Sequence, residues 1–273
     1  ANLTPATNYQ VLVTSTDLSG NKSAAQAASF KTNAKDSDAA TTTGGGATTS
    51  TTATTTTTVA ATTTTTVVAS MTSVPLVKGW NLIGNGLDQS FNVSTVFGDK
   101  SKFTTVWKWI ASKTTWAFYA PSLSSTELAN YAQTKGYDVL TTLNAGEGFW
   151  VNVANNSTVN LQRSVSALPI PSTSFSTSGT RPLASGWSLI AVGDNKSPAD
   201  FNSALSDTPP SQGATPTANL TTLWAWDSAS TSWFFYAPSL SSANLLTYTQ
   251  GKGYKVFGAQ TLTPSSGFWV NKP

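Results

Sequence analysis

The ten tryptophans of this 273-residue chain fall into two sets of five that recur in the same order. The two copies open with GWNLIG at Gly79 and GWSLIA at Gly186, share an identical YAPSLSS string, and close with GFWVN at Gly148 and Gly267. The C-terminal part of the chain is therefore one sequence written twice, with insertions confined to predicted surface loops between the motifs. The paired tryptophans are Trp80 with Trp187, Trp107 with Trp224, Trp109 with Trp226, Trp116 with Trp233, and Trp150 with Trp269.

The duplication predicts two tandem repeats, residues 74–165 and 166–273. Residues 33–73 consist mainly of Thr, Ala, Gly and Ser without apolar periodicity, which predicts an extended low-complexity linker. Dense hydroxyl groups also suit an O-glycosylated stalk, and β-branched threonines favour extended backbone that pairs with another chain. The candidate glycosylation sites are Thr54, Thr55, Thr56, Thr62, Thr63 and Thr64.

Residues 1–32 have a residue pattern that predicts a strand followed by a hairpin turn. The alternation of Tyr9, Val11 and Val13 predicts a half-buried strand, and residues 19–21 predict its hairpin turn. From Leu3 to Thr32 the segment resembles the last third of a fibronectin type III domain, which implies the final two strands of a β-sandwich and a tyrosine corner at Tyr9. Two strands alone are marginal in water, so upstream residues or a neighbouring molecule would complete the sandwich.

Each repeat is predicted to be a small α+β unit. In the first repeat we expect strands at 80–83, 105–109, 116–119, 137–143 and 148–153, and helices near 94–97 and at 125–135. Ser124 and Glu127 have capping-box spacing, and Gly136 is a helix stop. In the second repeat, Ser197 suits an N-cap and Pro198 the first helical position. This order predicts a mainly β fold, with a mainly antiparallel sheet in each repeat and helices on one face.

Composition excludes several classes of site. Cysteine and histidine are absent, so the chain has no thiolate nucleophile, Ser-His-Asp triad or Cys/His zinc site. The sequence also has no Asp-x-Asp-x-Asp loop for calcium, and we expect no metal or cofactor. Lys and Arg form no cluster that would follow a phosphate backbone, and no apolar run is long enough to span a membrane. No acidic pair survives the duplication, because Glu127, Asp138 and Glu147 align with Asn244, Lys255 and Ser266. We therefore expect no catalytic residues and no nucleic-acid partner.

The aromatic hairpin of each repeat is the best candidate for a binding surface. If Trp109 lies opposite Trp116, then Trp107 lies opposite Phe118 and all four side chains share one face. Exposed tryptophans could stack on sugar rings, although a small domain also needs large aromatic side chains for its core. The candidate glycan platform is Trp107, Trp109, Trp116 and Tyr119, with Trp224, Trp226, Trp233 and Tyr236 in the second repeat.

The remaining paired tryptophans flank predicted strand ends and are interpreted as shared core: Trp80, Trp150, Trp187 and Trp269. Capping of the following helix accounts for most of the YAPSLSS string. The glycines of GEGFWVN predict close packing or a bulge beside the tryptophan rather than a phosphate loop.

The functional hypothesis is a non-catalytic structural or adhesive protein, extracellular or at a bacterial cell surface. The repeats resemble GWNLIG to GFWVN modules of secreted bacterial surface proteins, a resemblance that brings no catalytic residues. Such a protein could be a filament or stalk subunit whose partners are other copies of itself or a cell-surface protein. The alternative is a carbohydrate-binding appendage of a secreted hydrolase, with a polysaccharide as ligand.

Overall fold

The computed structural model describes residues 8–13, 26–31, 70–164, 166–206, 218–258 and 260–273, and the chain divides into two compact units, residues 1–63 and 64–273. In the first unit, β1 (Asn8–Val13) and β2 (Gln26–Lys31) pair antiparallel, which confirms the strand predicted over Tyr9 to Val13. Other predictions lie outside the described residues: the turn at 19–21, the Tyr9 corner contact, the linker up to residue 69, and the six candidate glycosylation sites.

Both repeats lie in the second unit, which is mainly β, as predicted. The first repeat comprises β3 (Ser70–Leu76), β4 (Gly79–Gly84), β5 (Phe91–Asn92), α1 (Val93–Phe97), β6 (Phe103–Ile110), β7 (Thr115–Tyr119), α2 (Ser125–Lys135), β8 (Asp138–Val139), β9 (Thr142–Leu143), β10 (Gly148–Val153) and β11 (Ser157–Arg163). The second comprises β12 (Gly186–Ile190), α3 (Pro198–Ala204), β13 (Thr222–Asp227), β14 (Ser232–Tyr236), α4 (Ser242–Lys252), β15 (Lys255–Val256) and β16 (Phe268–Lys272). Short 3₁₀ helices cover Ala111–Lys113 and Ser172–Phe175.

The two repeats have equivalent five-stranded sheets, ordered β4-β10-β6-β7-β8 and β12-β16-β13-β14-β15. Neighbouring strands are antiparallel except for the last pair in each sheet, β7 with β8 and β14 with β15, which are parallel. A helix separates the strands of each parallel pair, because a parallel connection needs a crossover that a tight turn cannot provide.

Local capping follows the sequence closely. Ser124 and Glu127 form the predicted capping box of α2, and Gly136 ends that helix with a φ of 72°. Ser197 caps α3 with Pro198 at its start. The first helix begins one residue before its predicted range, because the Asn92 side chain caps it by accepting a hydrogen bond from the backbone N–H of Thr95.

The helices lie on opposite faces of each sheet, so the prediction of one helical face is wrong. Phe97 of α1 packs against Phe149 in the core, whereas Tyr131 of α2 packs against Phe118. Ala117, which precedes Phe118 in β7, belongs to the same core as Phe97. Since neighbouring strand residues point to opposite faces, α2 lies on the other side of the sheet.

An antiparallel pair that sequence patterning did not predict covers the core of the first repeat. β3 pairs with β11 and adds buried apolar side chains, among them Leu76 and Leu161, to the core cluster. Because β3 begins at Ser70, the linker ends before the predicted boundary at residue 73. In the second repeat, the segment that precedes β12 supplies Ile170, Phe175 and Leu183 to the core.

The repeats meet through contacts that recur in both directions. An isolated antiparallel bridge joins Ile83 to Ser266, and its counterpart joins Ile190 to Glu147. The amide of Gly84 donates to the Ser265 carbonyl, and the amide of Ala191 donates to the Gly146 carbonyl, each at 2.9 Å. The duplicated sequence thus folds into a pair of domains related by an approximate two-fold axis.

Glycine makes this close approach possible. A Cβ on Gly148 would lie 2.6 Å from the Ile190 carbonyl oxygen, and a Cβ on Gly267 would clash with the Ile83 carbonyl oxygen. The glycine of each GFWVN motif therefore permits backbone of the other repeat to approach, which confirms the predicted close packing.

Candidate ligand-binding clefts

The tryptophans of each repeat lie on one face of its sheet. In the first repeat, Trp109 pairs with Trp116 and Trp107 with Phe118, as predicted. Trp150 of β10 pairs with Trp107 and with Leu82 of β4, and Trp80 lies two residues before Leu82. Strand alternation therefore places all five tryptophans on the face away from the Phe149 core. The second repeat repeats the register, with Trp226 opposite Trp233 and Trp224 opposite Phe235.

The two tryptophan faces interlock across the approximate two-fold axis. Trp150 contacts Trp226 and Trp233 of the second repeat, with ring centroids 5.7 Å apart in both cases. Reciprocally, Trp269 contacts Trp109 at 6.0 Å and Trp116 at 5.8 Å. The tryptophan face of each sheet, which lies opposite its domain core, is thus partly covered by the tryptophan face of the other repeat.

Two hydrogen bonds complete the interlock. The Trp109 indole Nε1 donates to the Trp187 carbonyl, and the Trp226 indole Nε1 donates to the Trp80 carbonyl, each at 3.0 Å. These bonds satisfy the two hairpin-tip indoles. The Nε1 atoms of Trp107 and Trp224 are buried and have no acceptor among the described residues.

The two tryptophan faces do not cover each other completely and leave two aromatic clefts. Their linings are equivalent except that Trp233 lines both clefts, whereas its counterpart Trp116 lines only the first. The first cleft has a volume of about 440 Å³ and the second of about 480 Å³. The first is lined by Trp80, Trp107, Trp116, Tyr137, Trp150, Trp226 and Trp233. The second is lined by Trp109, Trp187, Trp224, Trp233, Tyr254 and Trp269.

The cleft walls stand at right angles and do not form a flat platform. Trp80 is inclined at 89° to Trp150, and Trp107 at 87° to Trp116. The ring of Tyr137 is inclined at 81° to that of Trp107. Edge-to-face packing of this kind suits the quadrupoles of the rings and produces pockets with several aromatic walls.

The interpretation of Trp80 and Trp187 as core residues is wrong, because they lie at the rims of the two clefts and are here called the rim tryptophans. Trp80 and Trp187 are 43% and 44% exposed, so they are not core residues. Trp150 and Trp269 are half-buried between the repeats rather than inside either domain core. Of the candidate platform, Trp107, Trp109, Trp116, Trp224, Trp226 and Trp233 all line a cleft and are half-buried.

Tyr119 and Tyr236 do not reach the clefts. They lie on the opposite sheet face, where Tyr119 packs against the first core and Tyr236 against the second. Burial raises the pKa of both phenols, and the Asp200 carboxylate adds to the effect at Tyr236. The cleft tyrosines that the sequence analysis missed are Tyr137 and Tyr254, each of which closes a duplicated KGY motif.

The acidic residues mostly serve structural roles. Hydrogen bonds from Ser124 lower the pKa of Glu127 within the capping box. The Lys255 ammonium and the Ser230 hydroxyl lower the pKa of Asp227 to about 2. Glu147 pairs with Lys108 on the core face of β6, with Nζ 2.8 Å from Oε2. Within the described ranges, no group of three or more acidic side chains is placed to hold a metal ion.

Comparison with known proteins gives no match to a family model, a curated protein or a solved structure. Among the described helices, none has the length and apolar character to cross a membrane. The clefts and their chemistry are therefore the basis for any functional assignment.

Proposed function

We propose that the tandem repeats form a non-catalytic adhesive module of an extracellular, cell-surface protein, and that the two aromatic clefts hold its ligand. The observation that carries this proposal is the duplication of the cleft itself. Both repeats contribute tryptophans to both clefts, and about two fifths of the Trp80 and Trp187 side chains at the cleft rims remains exposed to solvent. Exposed indoles beside a concave apolar surface are typical of a binding site.

Two equivalent sites on one module favour adhesion. A ligand that repeats along a polymer or across a surface can occupy both clefts, and the second contact then forms at a high effective concentration. Weak individual sites can give firm attachment in this way. Glu127 caps a helix, and Glu147 and Asp227 form ion pairs with lysines. These structural contacts support a role without catalysis.

Adhesion of beads coated with the full chain tests the proposal. Intact bacterial and eukaryotic cells, cellulose and chitin serve as surfaces, and the double variant Trp80→Ala/Trp187→Ala removes both rim indoles. We expect retention of wild-type beads on at least one surface and its loss in the double variant. Tyr131→Ala/Tyr248→Ala is the matched control, because these tyrosines are 41% and 40% exposed on α2 and α4, away from the clefts. Retention on no surface, or equal retention of the double variant, would contradict the proposal.

Carbohydrate binding is the second candidate, favoured by the exposed rings of Trp80 and Trp187, each of which could stack on one sugar. The perpendicular walls argue against an extended flat platform. Affinity electrophoresis in gels containing soluble polysaccharides tests this candidate, since a Trp80-dependent retardation would support it. Assembly into a filament or stalk stays a prediction, and a monodisperse monomer in light scattering would count against it.

A further inference from the structure

The chemistry of the cleft walls narrows the class of ligand. The lining side chains are those of tryptophan and tyrosine, and they offer no amide, carboxylate or guanidinium group. The Nε1 atoms of Trp107 and Trp224 are buried, so a ligand in the cleft cannot use them as donors. The polar groups of the walls are thus limited to indole N–H and phenol O–H groups, which are few beside the many hydroxyls of an enclosed sugar, and unpaired hydroxyls are costly to desolvate.

The walls instead surround one volume with several aromatic rings that stand at steep angles to one another. In the first cleft, Trp150 stands at 89° to Trp80 and at 84° to Trp233, and the second cleft repeats this with Trp269 at 83° to Trp187. Rings at right angles around a common space form an aromatic cage. Such cages attract quaternary ammonium groups, whose methyl groups pack on the rings while the charge interacts with the ring quadrupoles.

In the part of the chain that the structure describes, no side-chain cation lies over a ring that lines either cleft. Among the described residues, one side-chain cation lies over an aromatic ring, Lys255 at 5.6 Å from the Phe234 centroid. Phe234 packs on the second core and points away from Trp233, its neighbour in β14. The aromatic rings that line the clefts are therefore not already paired with this cation.

We propose that each aromatic cleft binds a trimethylammonium headgroup such as that of choline. The inference rests on the adhesive function proposed above and names the ligand of the same clefts. A trimethylammonium ion has no hydrogen-bonding group of its own, so it leaves no donor or acceptor of the ligand unpaired against the aromatic lining. Two clefts on one module give a binding stoichiometry of two.

Titration of the full chain with choline, followed by calorimetry and tryptophan fluorescence, tests this inference. The matched ligand control is 3,3-dimethyl-1-butanol, which has the same shape without the charge. We expect two choline sites, with the neutral analogue weaker by roughly tenfold because it lacks cation–π attraction. Equal binding of the two compounds would overturn the proposal, since it would make the cleft a purely apolar pocket.

Variants assign the two sites. Trp80→Ala should abolish the first site and Trp187→Ala the second, leaving one choline per chain in each case. The backbone carbonyls that accept the inter-repeat hydrogen bonds remain in both variants. Trp80→Phe keeps an aromatic wall and should weaken the first site severalfold without abolishing it, because indole is the stronger cation–π partner. Choline binding that is unchanged in Trp80→Ala/Trp187→Ala would overturn the assignment.

Cellotetraose separates this inference from the proposed function. Binding of cellotetraose that depends on Trp80, without choline binding, would overturn the ligand class and leave the adhesive function standing. Binding of neither compound, together with failure of the bead assay, would remove both.

Two presentations of the headgroup distinguish its source. Phosphatidylcholine vesicles carry it in a lipid, and phosphocholine-conjugated dextran carries it on a soluble polymer. Retention by either one through Trp80 and Trp187 supports the proposal and identifies the source, and retention by neither overturns it.

Discussion

Trp109 of the first repeat donates its indole N–H to the backbone carbonyl of Trp187 in the second repeat, and Trp226 makes the equivalent bond to Trp80. The hairpin tip of each repeat is thus anchored on the rim strand of the other. Since Trp80 and Trp187 also form the exposed walls of the clefts, the contacts that hold the repeats together also position the candidate site.

Removal of one anchoring hydrogen bond should destabilise the pair of repeats. Trp109→Phe keeps a ring between the repeats but deletes the donor, which leaves the Trp187 carbonyl without that partner. We expect a loss of about 1 kcal/mol in the free energy of unfolding, a typical net value for one hydrogen bond, with some further loss from the smaller ring. Urea unfolding followed by circular dichroism measures it. Tyr131→Phe, an exposed aromatic away from the interface, is the control and should leave the urea midpoint unchanged.

Close backbone approach predicts a strong effect at the GFWVN glycines. In Gly148→Ala the new Cβ would lie 2.6 Å from the Ile190 carbonyl oxygen, so the repeats must move apart. We expect destabilisation of about 1–3 kcal/mol, the usual cost of overpacking. Gly251→Ala is the matched control, because its Cβ would have no neighbour within 4 Å and alanine favours the α4 helix. Equal melting temperatures for the two variants would show that the interface tolerates the extra methyl group.

Local features of the fold were predictable, because each depends on a few neighbouring residues. The capping box of Ser124 and Glu127 and the pairing of Trp109 with Trp116 follow from residue spacing alone. What covers the tryptophan face could not be predicted in this way. Trp80 and Trp150 repeat in the sequence as core residues would, and only the packing of one repeat on the other distinguishes rim from interior. The pairing of β3 with β11 joins distant segments, for which no local signal exists.

Removal of one partner of the Lys108–Glu147 ion pair should destabilise the fold, because it leaves the other charge unpaired. Lys108 is 8% exposed, and its Nζ also donates to the Thr142 carbonyl at 3.2 Å. Glu147→Gln leaves this buried ammonium without its counter-charge, and we expect a loss of about 3 kcal/mol in the free energy of unfolding. The second repeat has Ala225 and Ser266 at the equivalent positions.

The double variant Lys108→Ala/Glu147→Ser copies that arrangement and gives the control for the ion pair. Because it removes both charges together, we expect its loss of unfolding free energy to be smaller than the sum of the losses in Lys108→Ala and Glu147→Ser. Strict additivity in this double-mutant cycle, measured by denaturant unfolding, would mean that the two side chains do not interact.

The acid stability of the second repeat should depend on Asp227. Lys255 donates to its carboxylate at 2.6 Å and Ser230 at 2.7 Å, and these bonds lower its pKa from the ordinary value of 3.8 to about 2. A carboxyl group whose pKa is depressed by folding stabilises the native state above its unfolded pKa, and that contribution is lost as the pH falls towards the folded pKa.

Asp227→Asn cannot titrate, so it should be less stable than wild type at neutral pH. The difference between the urea midpoints of wild type and variant should shrink between about pH 4 and pH 2. Other carboxyl groups, including Asp99 and Glu127 with their lowered pKa values, are present in both proteins and cancel in this difference. A difference that stays constant down to pH 2 would mean that the Lys255 contact does not stabilise the charged form of Asp227.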